Sequence, residues 1–208
     1  MRSDSNPDSN PDSATTGGPL TLPRFVPEDL HCVNATMGAR TSPNSWHALM
    51  SDSVGPPWLR SLRPHWDLVT MPESEWQARR CAGLIEAALS GIMGKFRGPV
   101  VVTKVLHLKR PLLIPICDSF VAGQMGTTLK GPQETTRLIL HLRNEARRDE
   151  NLKGLLTIQR HLERAGKKRS LVRILDALLW CTARDSFNRE LQPWGEFRRW
   201  LALWNQGS

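Results

Sequence analysis

No two cysteines in this chain stand close enough in sequence to suggest a metal site. Cys32, Cys81, Cys117 and Cys181 are spread along its 208 residues without a C-x-x-C pair, whereas zinc and iron–sulfur ligands are normally spaced more tightly. Neither a metal nor another cofactor is expected, and the four thiols read as reduced and mostly buried. No apolar run approaches the ~20 residues of a membrane span, which excludes a membrane partner. The N-terminus also lacks the charged start and apolar stretch of a secretory signal, so a cytoplasmic location is expected. Tyrosine is absent beside eight tryptophans, and arginine outnumbers lysine by 21 to 7. That bias fits GC-rich bacterial coding as well as any functional demand.

Acidic residues are scarce where they matter. The net charge is +8, but Asp4, Asp8 and Asp12 lie in the first 23 residues, leaving 27 basic against 17 acidic residues in the remainder. An excess of about +10 there favours an anionic partner, nucleic acid first, contacted through its phosphates. A solvated basic surface is the plain alternative. The tandem "SDSNPDSNPDS" and "ATTGGP" carry almost no apolar material to offset the entropy of ordering, so residues 1–23 read as a disordered tail. Residues 24–208 then form one domain.

Within that domain the periodicity is helical, and no strand pattern is strong enough to demand a sheet. Pro27, with Glu28 and Asp29 behind it, opens a helix over about 27–36. Residues 40–72 hold five prolines together with Trp46, Trp58 and Trp66, and read as an irregular segment pinned to the body by its indoles. "ESEWQARRCAGLIEAALSGIMG" places Cys81, Leu84, Ile85, Ala88, Leu89 and Ile92 on one face and stops at Gly94. "PVVVTKVLHLKRP" suits a strand or a helix, and a helix is the better choice. Beyond it, "PQETTRLILHLRNEARR", "NLKGLLTIQRHLERAG" and "SLVRILDALLWCTAR" are amphipathic helices, the last capped by Ser170. A final helix near Pro193 carries a stripe of Trp194, Phe197, Trp200, Leu201 and Trp204, read as core. The fold class is all-α, an orthogonal bundle of six to eight helices.

One stretch departs from this pattern. In "KRPLLIPICDSFV", Pro111 ends a helix, Pro115 keeps the apolar run extended, and Asp118 or Ser119 opens a helix over 119–125. Asp118 can be explained as a cap for the free N–H groups of that helix. It can also be a carboxylate at a cleft edge, with Lys104, His107, Lys109 and Arg110 nearby in sequence, acting as general base or electrostatic stabiliser. Lys109 and Arg110 suit phosphate contact or a pair with Asp118, and His107 suits a satisfied polar group beneath a helix. Residues 150–184 form a helical hairpin whose tip, Lys167, Lys168 and Arg169, suits phosphate contact without choice of sequence.

The run "VTKVLHLKRPLLIPICDSFV", with "RILDALLW" at 173–180, resembles an uncharacterised actinobacterial family of short helical proteins. Its "TK-x-L-H", "RP" and "P-x-x-D-S-x-V" pattern is distantly similar to the helix-hairpin-helix DNA glycosylases. That resemblance implies a catalytic role for Asp118, a lysine position near Lys104, and Ser119 and Val121 where those enzymes carry a threonine and an apolar residue. It implies base flipping into a pocket and hydrolysis of a glycosidic bond. Three features depart from the pattern: Gly94 and Gly98 are four apart rather than two, Phe120 replaces a histidine, and cluster cysteines are absent. The other functional class is a noncatalytic adaptor or a DNA-binding regulator using the 150–184 hairpin.

Overall fold

A computed structural model describes residues 24–39, 41–51, 55–96 and 98–186, and these are all-α. The Ser/Asp/Asn/Pro tail and the aromatic stripe beyond Pro193 lie outside the described residues. In chain order the helices are α1 (Pro27–His31) running into a π-helical turn (Cys32–Thr36), α2 (Pro43–Met50), α3 (Pro57–Ser61), α4 (Glu73–Ala78) and α5 (Cys81–Met93). There follow α6 (Pro99–Lys109), α7 (Ser119–Gln124), α8 (Pro132–Ala146), α9 (Asp149–Arg164) and α10 (Leu171–Ser186). Among the described residues that makes ten α-helices, more than the six to eight expected, for two reasons.

The first is the proline-rich segment 40–72, which is only partly irregular. Pro43 and Pro57 each sit at a first helical position, where a missing N–H costs nothing, and they start α2 and α3. The second is that the helix expected over 73–94 breaks in two. Arg80 adopts a left-handed conformation, φ 52° and ψ 41°, between α4 and α5. In one straight helix Trp76 would lie about 140° around the axis from Cys81, five residues of rotation at about 100° each. The break lets both be buried, Trp76 at 3 % exposure and the Cys81, Ile85, Ala88, Leu89 and Ile92 stripe at 0 %. Burying an indole and several aliphatic side chains, each contributing about 1.5–3 kcal/mol, outweighs the roughly 1–2 kcal/mol of a left-handed residue.

α5 packs on α8, α3 and α6, and the core runs from Leu138, Ile139 and Leu142 through Val102, Val105 and Leu106 to Leu175 and Leu179. Trp46 seals one end. Its ring meets Phe25 at 5.7 Å and Phe96 at 5.5 Å, both edge-on, and its indole N–H donates to the Thr41 hydroxyl at 2.7 Å. Trp66 is also buried and Trp58 is half-buried, so all three indoles of the segment pack on the body.

Trp58 leans on Gly91 of α5 so closely that a Cβ there would meet its Cδ1 and Nε1 at 2.5 Å. Alanine normally gains about 1 kcal/mol over glycine in a helix, whereas overpacking costs about 1–3 kcal/mol. Gly91→Ala is therefore expected to destabilise the protein by about 1 kcal/mol, measured by denaturant unfolding. Trp58→Leu in the same chain should restore the helix-propensity gain. A stabilised single variant would mean that the indole simply moves aside.

Candidate functional site

The segment after α6 has no helix or sheet to satisfy its backbone, so other elements do so. Pro111 stops α6, and the amides of Leu113 and Ile114 turn back onto the Arg110 carbonyl. Residues 114–118 then run without regular structure. The Ile114 carbonyl accepts from His107 Nδ1 of α6 at 2.6 Å, which places the ring proton on Nδ1. The Ile116 amide donates to both carboxylate oxygens of Asp176 on α10, at 3.2 Å each. The Cys117 amide donates to the Thr103 hydroxyl of α6 at 3.1 Å. Asp118 then caps α7, its Oδ1 accepting from the Val121 amide at 2.9 Å. Three side chains from two helices thus hold the strap that presents Asp118.

Beside this strap opens a cleft of about 580 Å³. Lys104 and His107 enter it from α6, Ile116 and Asp118 from the strap, and Arg173, Asp176, Trp180 and Cys181 from α10, with Met37 opposite. Asp118 is half-buried, and among the described residues only its Oδ1 takes a hydrogen bond from the protein. Lys104 is half-buried too, its ammonium donating to the Met37 carbonyl at 2.6 Å. Both residues singled out as catalytic in the sequence therefore share one opening.

Electrostatics separates the groups in this cleft. Burial pushes the Asp176 carboxyl up to about 7, and the charge of Asp118 adds to this, against the Ile116 hydrogen bond and Arg173. Burial also pushes the His107 imidazole below its usual range, with Arg173 reinforcing the shift and the Ile114 bond opposing it, so this ring is neutral near pH 7. The Cys117 thiol is pushed up by burial and by the two nearby carboxyls, which keeps it inert.

Ser119 is exposed at the first turn of α7. Lys109 and Arg110 correct the expectation that they reach phosphate. Lys109 is fully buried, 2.5 Å from Asp29 of α1 and 5.5 Å from the Phe25 ring centre. Arg110 is 1 % exposed and donates only to backbone carbonyls, its neighbour Lys109 and, at the C-terminal end of α3, Leu59 and Leu62. Burial lowers its guanidinium to about 10, still charged at neutral pH, where it complements the negative end of that helix. Neither cation faces solvent or Asp118.

Lys167, Lys168 and Arg169 are exposed in the α9–α10 turn and form no ion pair among the described residues. Ser170 joins this turn to the site: its hydroxyl donates to the Pro111 carbonyl at 3.4 Å and accepts from the Arg173 amide at 3.1 Å. Arg173, one turn into α10, lines the cleft, so exposed cations run from the hairpin tip to its edge. α10 itself buries Leu171, Val172, Ile174, Leu175 and Leu179. Among the described side chains of α10 the exposed polar ones are Arg173 and Cys181, few for a recognition helix.

Asp176, Arg173 and Trp180 complete a site that sequence reasoning located only from the strap side. A lone acid amid "RILDALLW" was the available signal. Among the described residues no three His, Cys, Asp or Glu side chains cluster as metal ligands, and no helix is long and apolar enough to cross a membrane. Neither the curated proteins nor the solved structures contain a match to this chain. A family model does match, over residues 12–183, and it takes in every described residue that lines the cleft; the chain belongs to the family of unknown function DUF6308.

Proposed function

We propose that this protein binds nucleic acid through the cations of the α9–α10 turn and hydrolyses a glycosidic bond on a nucleotide held in the cleft, as a helix-hairpin-helix glycosylase does. The observation that carries this reading is the shared cleft: Asp118 and Lys104 open onto one hollow that Arg173 also lines, its amide bonded to Ser170 at the end of the Lys167, Lys168 and Arg169 turn. At about 580 Å³ the hollow matches the size of small-molecule sites and admits one extrahelical base. Asp118 takes one backbone hydrogen bond on Oδ1, so its other oxygen is available to activate water and to stabilise a cationic sugar. Lys104, held as a donor to the Met37 carbonyl, serves as a fixed positive charge rather than as an amine nucleophile.

The test is binding of a fluorescent oligonucleotide between 50 and 200 mM salt, together with assay of released base. Replacing Lys167, Lys168 and Arg169 by alanine should lower the magnitude of the log–log salt slope by about 2–3, near 0.9 for each phosphate that is no longer neutralised. Asp118→Asn should lower base release by about 10²–10⁴-fold at unchanged affinity. Its stability should stay within about 0.5 kcal/mol of the parent, because asparagine caps helices as well as aspartate does. Absence of binding at the lowest salt would leave the noncatalytic adaptor as the function.

A further inference from the structure

Among the described residues two carboxyl groups face the cleft, and the hydrolysis outlined above employs only one of them. Asp176 sits in a setting unlike that of Asp118. It is 5 % exposed, on the face of α10 that also buries Val172, Leu175 and Leu179. Its two oxygens share a single donor, the Ile116 amide, at 3.2 Å each. An ionised carboxylate has about four acceptor directions to satisfy, so one N–H leaves it underserved.

Among the described residues none of the surrounding groups makes up the deficit. From α6, His107 stands 4.0 Å away, but its Nδ1 proton is committed to the Ile114 carbonyl, and Lys104 is committed to Met37. The strap contributes Asp118, a like charge, and Cys117, an un-ionised thiol. On α10 itself lie Arg173 and Cys181, both exposed; α7 adds only Val121 to the cleft, and α9 adds no residue to it. A carboxylic acid fits this arrangement better: one oxygen accepts from Ile116 and the other carries a proton into the cleft.

We infer that Asp176 is a second catalytic residue of this cleft, the proton donor to the departing base, and that the substrate is therefore a nucleotide whose base is uncharged. The inference rests on the base-release reading of the site. In the step it describes, the C1′–N bond breaks and its electron pair passes to the base, while the Asp176 proton moves to an acceptor atom of that base. A water oxygen bonds to C1′ and gives its proton to Asp118. Solvent then removes the proton from Asp118 and returns one to Asp176, so one water is consumed for each base released. A base already alkylated on a ring nitrogen carries a positive charge and departs without such help. Two carboxyls in unlike surroundings, one half-exposed and one buried, can divide acid and base work in this way, and burial raises Asp176 to about 7.

The experiment compares duplex oligonucleotides carrying uracil, hypoxanthine or 8-oxoguanine with others carrying 7-methylguanine, and measures free base. The full chain should release at least one uncharged base, at a rate that falls as pH rises through about 7. Asp176→Asn should cut that rate by about 10²–10⁴-fold and remove the alkaline limb, while changing any 7-methylguanine release by less than about 3-fold. Asp118→Asn should depress both. Asp176→Glu, which keeps a proton donor, should retain the limb at a shifted pH, and it serves in place of the asparagine variant should that one fail to fold. Equal loss on charged and uncharged bases, no loss on either, or an unmoved limb would overturn the role of Asp176 and leave Asp118 hydrolysis standing. Release of 7-methylguanine alone by the parent would do the same. No release of any base by the parent would overturn the hydrolytic reading and this inference together.

Discussion

Lys109→Met is expected to cost the fold about 3–5 kcal/mol, the usual loss when one partner of a buried ion pair is removed. Lys109 and Asp29 are each 0 % exposed, and their charged atoms lie 2.5 Å apart. Burial drives the Asp29 carboxyl up and the Lys109 ammonium down, so each relies on the other for its charge. With methionine at 109, Asp29 keeps, among the described residues, only the Val26 amide, which donates to its Oδ2 at 2.8 Å. It must then either remain charged without compensation or take up a proton. The loss should consequently be smaller at pH 5 than at pH 8, since the proton is easier to acquire in acid. Adding Asp29→Asn should recover part of the loss, because the orphaned charge disappears while the α1 cap survives. Denaturant unfolding of the two single variants and the double variant at both pH values measures this; simple additivity would refute the coupling.

Asp176→Asn is expected to gain stability relative to the parent as pH rises, by roughly 4 kcal/mol between pH 4 and pH 8, at about 1.4 kcal/mol for each pH unit separating the folded and unfolded carboxyl. The folded-state carboxyl is raised from 3.8 to about 7. Below the lower value the group is neutral whether the chain is folded or not, and it contributes no pH dependence. Between the two values the unfolded chain has released a proton that the folded chain still holds, so stability falls steadily with pH. Above about 7 the folded chain bears the charge in full. Asparagine keeps an oxygen for the Ile116 amide and cannot ionise. Unfolding free energies at pH 4, 6 and 8 test this, and a difference between the two proteins that stays constant across that range would disprove it. A residue that weakens the fold at the pH where the cell needs it is characteristic of a working site.

What could be read in the sequence divides along physical lines. α8, α9 and α10 follow from apolar spacing and, for two of them, from Pro132 and Ser170 at their starts, all of them local signals, whereas the β-branched run at 100–103 left α6 open to a strand and the structure makes it a helix. The fracture at Arg80 was hidden, because periodicity records which residues want burial but not whether a straight rod can bury them all. Asp118 was found because Pro111, Pro115 and a helix start mark it within ten residues. Asp176 carries no local signal on a helix that is mostly core, since its partner Ile116 is 60 positions away. Lys109 and Arg110 misled for the opposite reason. Nearness in sequence suggested a cation cluster around Asp118, yet the end of α6 turns them inward, to Asp29 and to the carbonyls closing α3.

The strap before Asp118 borrows its main fastenings: those at Ile114, Ile116 and Cys117 belong to α6 and α10. The aim of the carboxylate is thus inherited from the spacing of two long rods, with the mechanical tolerance of a packed core and not of a surface loop. A substitution deep between those rods, far from the cleft, would turn the carboxylate before it unfolded the chain.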